Sequence, residues 1–401
     1  MALAATRVSH AAPLLDDGLL NPCLDSRLPP SLSQHEVVRA AWDGIVPERV
    51  WDVHVHLLGN GDSGGGAWLP PEMTSPWHPV AFLRRLILMN AACARGDMVD
   101  TSYVQRLHAL AEGLPPGARC MLLAFDHHHD QEGRSRPAQS PFHVPDRYAA
   151  AVARAFPGRF EWIASIHPYR PDAVEALAAA RTGGARAVKW LPNAMGIDPA
   201  SSRCDAFYAA LARSDTPLLT HAGDEAAVDA QSAQELGNPL RLRRALDHGV
   251  RVIVAHCAAL GTGVDLDTGP HGPRVPNLAL FARLMDEPGH GSRLHGDLSA
   301  LVQRNRAAAA LPRLLARADW HPRLLWGSDY PLPGVLPLIS AHALAEQGLL
   351  APAEVPVLVE IRRYNPLLFD FVLKRRLTAG GRRFAPSVFE TRGFFTGTGA
   401  R

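Results

Sequence analysis

Lysine is almost missing from this chain of 401 residues. Among its 41 basic residues only Lys189 and Lys374 are lysines, and all the others are arginines. Arginine stays protonated in proteins, whereas a buried lysine can lose its proton and react as an amine. A lysine kept among so many arginines therefore indicates a chemical requirement, although two lysines can also persist by chance.

Neither sign of charge is in excess. The 41 basic residues face 39 acidic ones, for a net charge of +2, and the basic runs 374–376 and 382–383 are short. Nucleic acid is therefore not expected as a principal partner. The apolar stretch 81–94 contains Arg84 and Arg85 and is shorter than the ~20 residues that span a bilayer. The sequence predicts no membrane partner.

Cysteine is also scarce. The five cysteines are odd in number, widely spaced and without a C-x-x-C pair: Cys23, Cys93, Cys120, Cys204 and Cys257. This pattern predicts reduced thiols in a reducing compartment rather than a disulfide framework. The N-terminal segment lacks a long apolar core, so no secretory signal is expected. Together these features predict a cytoplasmic protein.

Apolar runs alternate along the chain with Ala-, Leu- and Arg-rich stretches of helical periodicity, which is the pattern of βα units. Eight strands are predicted, at 49–56, 119–126, 160–167, 185–191, 217–221, 251–256, 293–298 and 323–327. Helices are predicted at 145–155, 171–181, 204–213, 239–247 and 307–317. This spacing predicts an α/β fold, a (β/α)8 TIM barrel, with an open doubly wound sheet as the alternative.

Three regions are expected. They are an irregular, Pro-rich N-terminal extension (1–48), the barrel (49–375) and a C-terminal tail (376–401). The barrel carries a long insertion after its first strand, 57–118, which begins with GNGDSGGG and contains an apolar helix candidate at 79–94. Because it leaves the end of the barrel where active sites lie, the insertion is either a lid that selects substrate or a packing or dimer element.

The strongest local signal is an H-x-H pair, His54 and His56 in VWDVHVH, whose rings lie on one face of a strand. His221, His256 and Asp329 each follow another predicted strand. The carboxyl ends of barrel strands meet at a common mouth, so these side chains are expected to converge. Imidazole and carboxylate groups there predict a divalent-metal centre.

Lys189, in ARAVKWLP, has the equivalent position at the end of the fourth strand. A buried neutral lysine can react with carbon dioxide to give a carbamate, an anionic oxygen ligand that arginine cannot supply. The alternative for Lys189 is a lysine paired with a carboxylate in the pocket.

These residues resemble the amidohydrolase superfamily over about residues 50–370. WDVHVH, THAG, VAHC and WGSDYP look like its first-, fifth-, sixth- and eighth-strand motifs. LHGDLSA (294–300) and RYNPLLFD (363–370) are similar to the amidohydrolase-related branch, which includes decarboxylases of small aromatic and dienoic acids as well as hydrolases. AVKWLPNA is instead similar to the dihydroorotase fourth-strand motif, whose lysine is carboxylated and bridges two metals.

The resemblance implies one of two metal centres. In the binuclear form the H-x-H pair binds the more buried metal, and His221 and His256 hold the second metal. Carboxylated Lys189 bridges the two metals. Asp329 is both a metal ligand and the catalytic base. In the mononuclear form one metal is held by the H-x-H pair, His221 and Asp329, while His256 is the acid–base group. Zn²⁺ is the first choice of metal, and Mn²⁺, Fe²⁺ and Co²⁺ remain alternatives.

The expected function is hydrolysis of an amide, lactone or ester of a small molecule by metal-activated water. Non-oxidative decarboxylation of a small aromatic or dienoic acid is the alternative, and a non-catalytic barrel ranks third. Substrate contacts are expected from Arg170, His167, Asn193 and Tyr330, although each also fits an ordinary structural role. Asp297 and Ser299 are placed to orient a ligand histidine. Related barrels are commonly dimers or larger, so a homo-oligomer is one expectation.

Overall fold

A computed structural model describes residues 17–228 and 233–397. Its centre consists of eight short parallel strands: β1 (Trp51–His56), β2 (Arg119–Leu123), β3 (Phe160–Ile163), β4 (Val188–Trp190), β5 (Leu218–His221), β6 (Val252–Ala255), β7 (Leu294–Asp297) and β8 (Leu324–Leu325). Each overlaps one of the eight predicted strands. They pair as a three-stranded sheet, β1-β2-β3, and a five-stranded sheet in the order β8-β7-β6-β5-β4.

Single parallel bridges join the two sheets at both seams. Ala164, just after β3, bridges to Val188 of β4, and Val55 of β1 bridges to Tyr330, just after β8. At the second seam the His56 amide also donates to the Tyr330 carbonyl at 2.9 Å. The last strand therefore lies beside the first, as a (β/α)8 barrel requires and an open sheet does not. The predicted fold class is confirmed.

Helices surround the strands and also occur in the N-terminal extension and in the C-terminal tail. Their bounds are Pro30–Ser33, Glu36–Ala41, Pro71–Thr74, Pro79–Ala91, Val99–Glu112, Asp146–Ala155, Ala173–Thr182, Pro192–Met195, Asp205–Arg213, Arg243–Asp247, Asn277–Asp286, Ala307–Ala316, Ala341–Glu346, Val355–Tyr364, Pro366–Arg376 and Arg392–Thr396. A short antiparallel hairpin, Thr262–Val264 with Arg274–Pro276, follows β6. In the part of the chain that the structure describes, no helix combines the length and apolarity needed to cross a membrane.

Side chains that point into the barrel form their own small core. Its members come from the interior faces of the strands and from the C-terminal tail: Trp51, Val53, Met121, Leu123, Ile163, Ala187, Leu219, Ile253, Ala255, Leu325 and Phe395. The Thr391 hydroxyl accepts a hydrogen bond from the Trp51 amide at 3.1 Å, which places the tail against the start of β1. The tail thus packs where the strands begin, opposite the end that carries the polar site.

The N-terminal extension packs against the insertion. The Asn21 side chain donates to the Ala91 carbonyl at 3.2 Å, and the Asn90 side chain donates to the Asn21 carbonyl at 3.1 Å. A disulfide joins Cys23 to Cys93, across 70 residues of sequence. The expectation of five reduced thiols is therefore wrong for this pair, because sequence spacing carries no sign of a contact between segments so far apart. The remaining thiols are buried and free: Cys120, Cys204 and Cys257.

Candidate metal centre

A register shift in β1 directs both histidines of the H-x-H pair into the site. The pairing of β1 with β2 is regular up to Asp52 and slips by one residue before Val55. Such an irregularity changes the face on which the following side chains lie. Val53, inside the irregular segment, lies in the barrel core, whereas Val55, where regular pairing resumes, lies in the outer core between strands and helices. His54 and His56 therefore both line the cavity at the mouth of the barrel.

Asp329 closes a three-residue group with the H-x-H pair. Its Oδ1 lies 3.2 Å from His56 Nε2 and 3.5 Å from His54 Nε2. One ligand atom from each of the three lies within 4.8 Å of the others, which is the spacing of a metal-binding group. Asp329 has a left-handed backbone, with φ 64°. A strained aspartate held at this position is the kind of outlier found at functional sites.

The surroundings of Asp329 favour the ionised form of its carboxyl group. Burial alone would raise its pKa, but the neighbouring His54 and His256, and the hydrogen bond from His56, hold the pKa well below its usual value. The Nδ1 atom of His54 donates to Asp297 Oδ2 at 2.8 Å. This bond leaves the unprotonated Nε2 of His54 directed at Asp329 and so prepares it to bind a cation.

Lys189 lies beside the same three residues. Its side chain is buried at the end of β4, with Nζ 3.5 Å from His54 Nε2. Burial lowers the pKa of this ammonium group to about 8, against the opposing effect of Asp297, Asp329 and Glu225. About a tenth of the group is then neutral at pH 7, and this neutral amine is the form that reacts with carbon dioxide.

His221 supplies a third imidazole from the end of β5. Its Nδ1 lies 3.5 Å from Glu225 Oε2, while its buried Nε2 has no hydrogen-bond partner. Burial lowers the pKa of His221 to about 4, so the ring is neutral at physiological pH. A neutral, buried and unpartnered ring nitrogen is a suitable ligand for Zn²⁺ or a similar ion. The donor set therefore fits a divalent metal.

His256 is held rigidly at the end of β6. The backbone is left-handed at three consecutive residues, 256–258, and the His256 amide donates to Asp297 Oδ1 at 2.8 Å. Its Nδ1 donates to the Ser299 carbonyl at 3.0 Å, which directs Nε2 toward the cavity. Its ring lies 5.2 Å from the ring of His54 and 5.3 Å from that of His221. All six residues expected at the metal centre are thus neighbours in the structure.

A cavity of about 770 Å³ opens above these six residues. Its base is polar and its roof is apolar. The roof comes from the N-terminal extension, the insertion helix Pro79–Ala91 and the segment after β8: Leu19, Leu20, Val80, Leu83, Ile87, Leu88, Val335, Pro337 and Leu338. The insertion therefore covers the mouth, as expected of an element that selects substrate.

The four expected substrate contacts do not line this cavity. Each of them has another partner in the fold. Arg170 pairs with Asp126 at 3.0 Å and Asp172 at 2.8 Å. His167 donates from Nε2 to the Met195 carbonyl at 3.0 Å, and the Asn193 amide donates to the Gly223 carbonyl at 3.1 Å. Tyr330 packs edge-on against Tyr103, at 5.8 Å between ring centres.

Besides Arg84 on the insertion helix, the cavity is lined by two charged residues that the sequence did not indicate, Glu225 and Arg306. Both lie in loops that follow barrel strands, where hydrophobic periodicity gives no information about side-chain direction. Glu225 could have been noticed as a carboxylate four residues after His221. Arg306 carried no signal, because arginine is the commonest cation throughout this chain.

The sequence profile of the amidohydrolase family matches residues 51–357, which is most of the chain. The chain belongs to the amidohydrolase family. The match begins at β1, contains all six residues of the candidate metal centre, and ends in the helix Val355–Tyr364. No curated protein matches this amidohydrolase chain.

Several solved structures resemble the chain at low identity. An uncharacterised TIM-barrel protein of Bordetella bronchiseptica has 14% identity and a TM-score of 0.47, covering 74% of this chain and 94% of its own. A putative 2-pyrone-4,6-dicarboxylic acid hydrolase of Pseudomonas putida has 15% identity and a TM-score of 0.44 (80% and 97% covered). A 5-carboxyvanillate decarboxylase of Sphingomonas paucimobilis has 11% identity and a TM-score of 0.44 (79% and 96% covered).

Proposed function

We propose that this amidohydrolase is a zinc-dependent hydrolase that cleaves an amide, lactone or ester of a small molecule. The observation that carries the proposal is the convergence of four imidazoles, a carboxylate and a buried lysine at the base of one cavity. His54, His56 and Asp329 form the primary ligand group, and the unpartnered Nε2 of His221 completes it. The substrate occupies the cavity above them.

A bound divalent cation lowers the pKa of water from about 15.7 towards about 7 and polarises a carbonyl oxygen. Asp329 accepts the proton of the attacking water and later delivers it to the leaving group, because its carboxylate is ionised and faces the cavity. His256 presents an unprotonated Nε2 to the cavity and accepts a hydrogen bond or a proton there. The insertion roof excludes bulk water from the base of the cavity.

Lys189 is proposed to carry a carbamate that extends the ligand set to a second metal. Its neutral amine attacks carbon dioxide, a C–N bond forms, and one proton leaves to solvent. The buried position 3.5 Å from His54 Nε2 supports this role, since the resulting carboxylate oxygens would lie next to the H-x-H pair.

Decarboxylation on a single metal is the second candidate function. Two observations favour it. Ser299 orients His256 and leaves its Nε2 free on the cavity side, where a group that takes up a proton and passes it to a substrate carbon has to lie. Arg306, buried in the wall of the same cavity, offers guanidinium donors to a substrate carboxylate.

Metal content per chain tests the proposal. Protein purified without chelators and reconstituted with Zn²⁺ is expected to hold about two metals per chain by elemental analysis, and Lys189→Ala about one. Added acetate is expected to restore part of the loss in Lys189→Ala. His56→Ala is expected to lose metal while keeping its far-ultraviolet circular dichroism. The matched control His248→Ala, whose ring pairs with Asp205 outside the cavity, keeps its metal.

The outcomes separate the two functions. Two metals dependent on Lys189 direct the substrate search to amides, lactones and esters. A content of one metal per chain that does not change in Lys189→Ala excludes the bridging role of Lys189. Decarboxylation of aromatic and dienoic acids then becomes the first function to test. No metal after reconstitution, or full metal in His56→Ala, contradicts the site assignment itself.

A further inference from the structure

Arg306 is a buried cation without a partner. The residue is 6% exposed, and its Nε and Nη1 atoms are buried with no hydrogen-bond acceptor. Among the residues that the structure describes, no carboxylate lies within ion-pair distance of it, although most other buried or half-buried arginines here are bonded to Asp, Glu or carbonyl oxygens. Arg362, for example, donates to several carbonyl groups. An unpaired buried guanidinium is costly unless an anion joins it.

Arg306 faces the catalytic end of the cavity. It lines the same cavity as the six residues of the metal centre, and its positive charge contributes to the low pKa of His221 and His256. Its donors therefore lie close to the place where bonds would be broken. A planar group of this kind binds a carboxylate through two parallel hydrogen bonds.

The opposite side of the cavity is hydrocarbon. Nine apolar side chains form the roof, and several of them are exposed: Leu19 (60%) and Leu20 (61%) in the N-terminal extension, and Val80 (74%) and Leu83 (56%) on the helix Pro79–Ala91. Exposed apolar surface that continues into a cavity indicates a ligand with an apolar body. The polar base and the apolar roof together describe an amphipathic ligand.

We propose that the cavity binds amphipathic carboxylates, with the carboxylate on Arg306 and an aliphatic or aromatic body of about six to ten carbons along the roof. This inference rests on the proposed function, because it names the substrate class of the same site. Arg306 and Leu83 then become specificity-determining residues. Arg84 also lines the cavity, but it lies on the roof helix and is half-exposed.

Calorimetric titration with octanoate, butanoate and octanamide tests the inference, on the zinc-reconstituted and on the chelator-treated protein. Octanoate is expected to bind about 10- to 100-fold more tightly than octanamide, since charge-assisted hydrogen bonds contribute about 1.5–3 kcal/mol. Octanoate is also expected to bind at least tenfold more tightly than butanoate, because each buried methylene contributes about 0.8 kcal/mol. The chelator-treated protein keeps both preferences, which excludes a carboxylate bound only to metal.

Matched variants assign each preference to its residue. Arg306→Gln is expected to remove the preference for octanoate over octanamide and leave octanamide binding unchanged, whereas Arg84→Gln keeps the preference. Leu83→Gln is expected to reduce the chain-length preference about tenfold. Leu86→Gln, on the same helix and 45% exposed but outside the cavity lining, has no effect.

Three results would overturn the inference. They are equal binding of octanoate and octanamide, a preference that is lost in Arg84→Gln instead of Arg306→Gln, and a preference seen only with zinc present. Sedimentation of the unliganded protein could give a fourth result that overturns the inference. A dimer that is abolished by Leu83→Gln would mean that a second copy of the chain covers the roof. A different pair of results would contradict the proposed function alone. In that case the zinc-reconstituted protein would hold no metal, while the chelator-treated protein would still discriminate among the three probes.

Discussion

At the scale of single residues, burial controls the ionisation of histidine in this barrel. His295 on β7 packs edge-on against Phe394 of the C-terminal tail, with 4.6 Å between ring centres. Its buried Nδ1 has no hydrogen-bond partner. Burial lowers the pKa of His295 to about 4, from an ordinary value of 6.5. The folded protein therefore keeps this ring neutral at a pH where the unfolded chain protonates it.

We predict that His295 makes the protein acid-sensitive. Because the folded pKa is lowered, its contribution to stability is present above pH 6.5 and is lost as the pH falls toward 4. Between pH 7.5 and pH 5 this single group is expected to remove about 2 kcal/mol from the free energy of unfolding. Urea unfolding at the two pH values measures the loss. His295→Leu should show a correspondingly smaller difference, and an unchanged difference in the variant would contradict the assignment.

Sequence patterns identified the residues that converge at the mouth of the barrel better than the residues around them. His54, His56, His221, His256, Lys189 and Asp329 could be named because each ends or follows a strand, and strand ends meet at one mouth. The direction of a loop side chain has no such periodicity. Arg170 therefore looked like a carboxylate-binding residue but is paired with Asp126 and Asp172, while Arg306, in an equally ordinary loop, faces the cavity.

At the scale of secondary-structure elements, the strands were predictable and their irregularities were not. Buried parallel strands read as apolar runs, so all eight overlap their predicted ranges. The slip between Asp52 and Val55 leaves no trace in a run of alternating residues, yet it decides which face His54 occupies. The hairpin Thr262–Val264 with Arg274–Pro276 lies in a stretch where the sequence predicted no strand or helix, because its strands are short and largely exposed.

The Cys23–Cys93 disulfide ties the N-terminal extension to the end of the roof helix. The disulfide closes a loop of 70 residues and so lowers the conformational entropy of the unfolded chain. In the chain-entropy account this stabilises the folded protein by about 4 kcal/mol. We predict that a reductant lowers the melting temperature of the wild-type protein and has no effect on Cys23→Ser. Thiol titration of the denatured protein should find three free thiols before reduction and five after it. Five thiols before reduction would restore the expectation that all cysteines are reduced.

At the scale of the whole molecule, closure of the barrel depends on a narrow seam. β1 and β8 are joined through few backbone contacts: the Val53 amide donates to the Trp326 carbonyl at 3.2 Å, the His56 amide to the Tyr330 carbonyl at 2.9 Å, and the Asp329 amide to the His54 carbonyl at 2.9 Å. The proposed ligands lie on both sides of this seam, with the H-x-H pair on β1 and Asp329 after β8. Coordination would therefore fasten the first strand to the last.

We predict that removing the metal loosens this seam without unfolding the barrel. A metal present at about 1,000 times its dissociation constant contributes about 4 kcal/mol, which corresponds to a fall of about 5 °C in melting temperature for a chain of this length. Circular dichroism at 25 °C should stay unchanged, because the apolar cores inside and outside the strands contain none of the ligands. Hydrogen exchange locates the effect: the amides of His56 and Asp329 should exchange faster after chelation, while that of Leu219 on β5 should not. Uniformly faster exchange along all strands would mean that the metal supports the whole fold rather than the junction between its first and last strands.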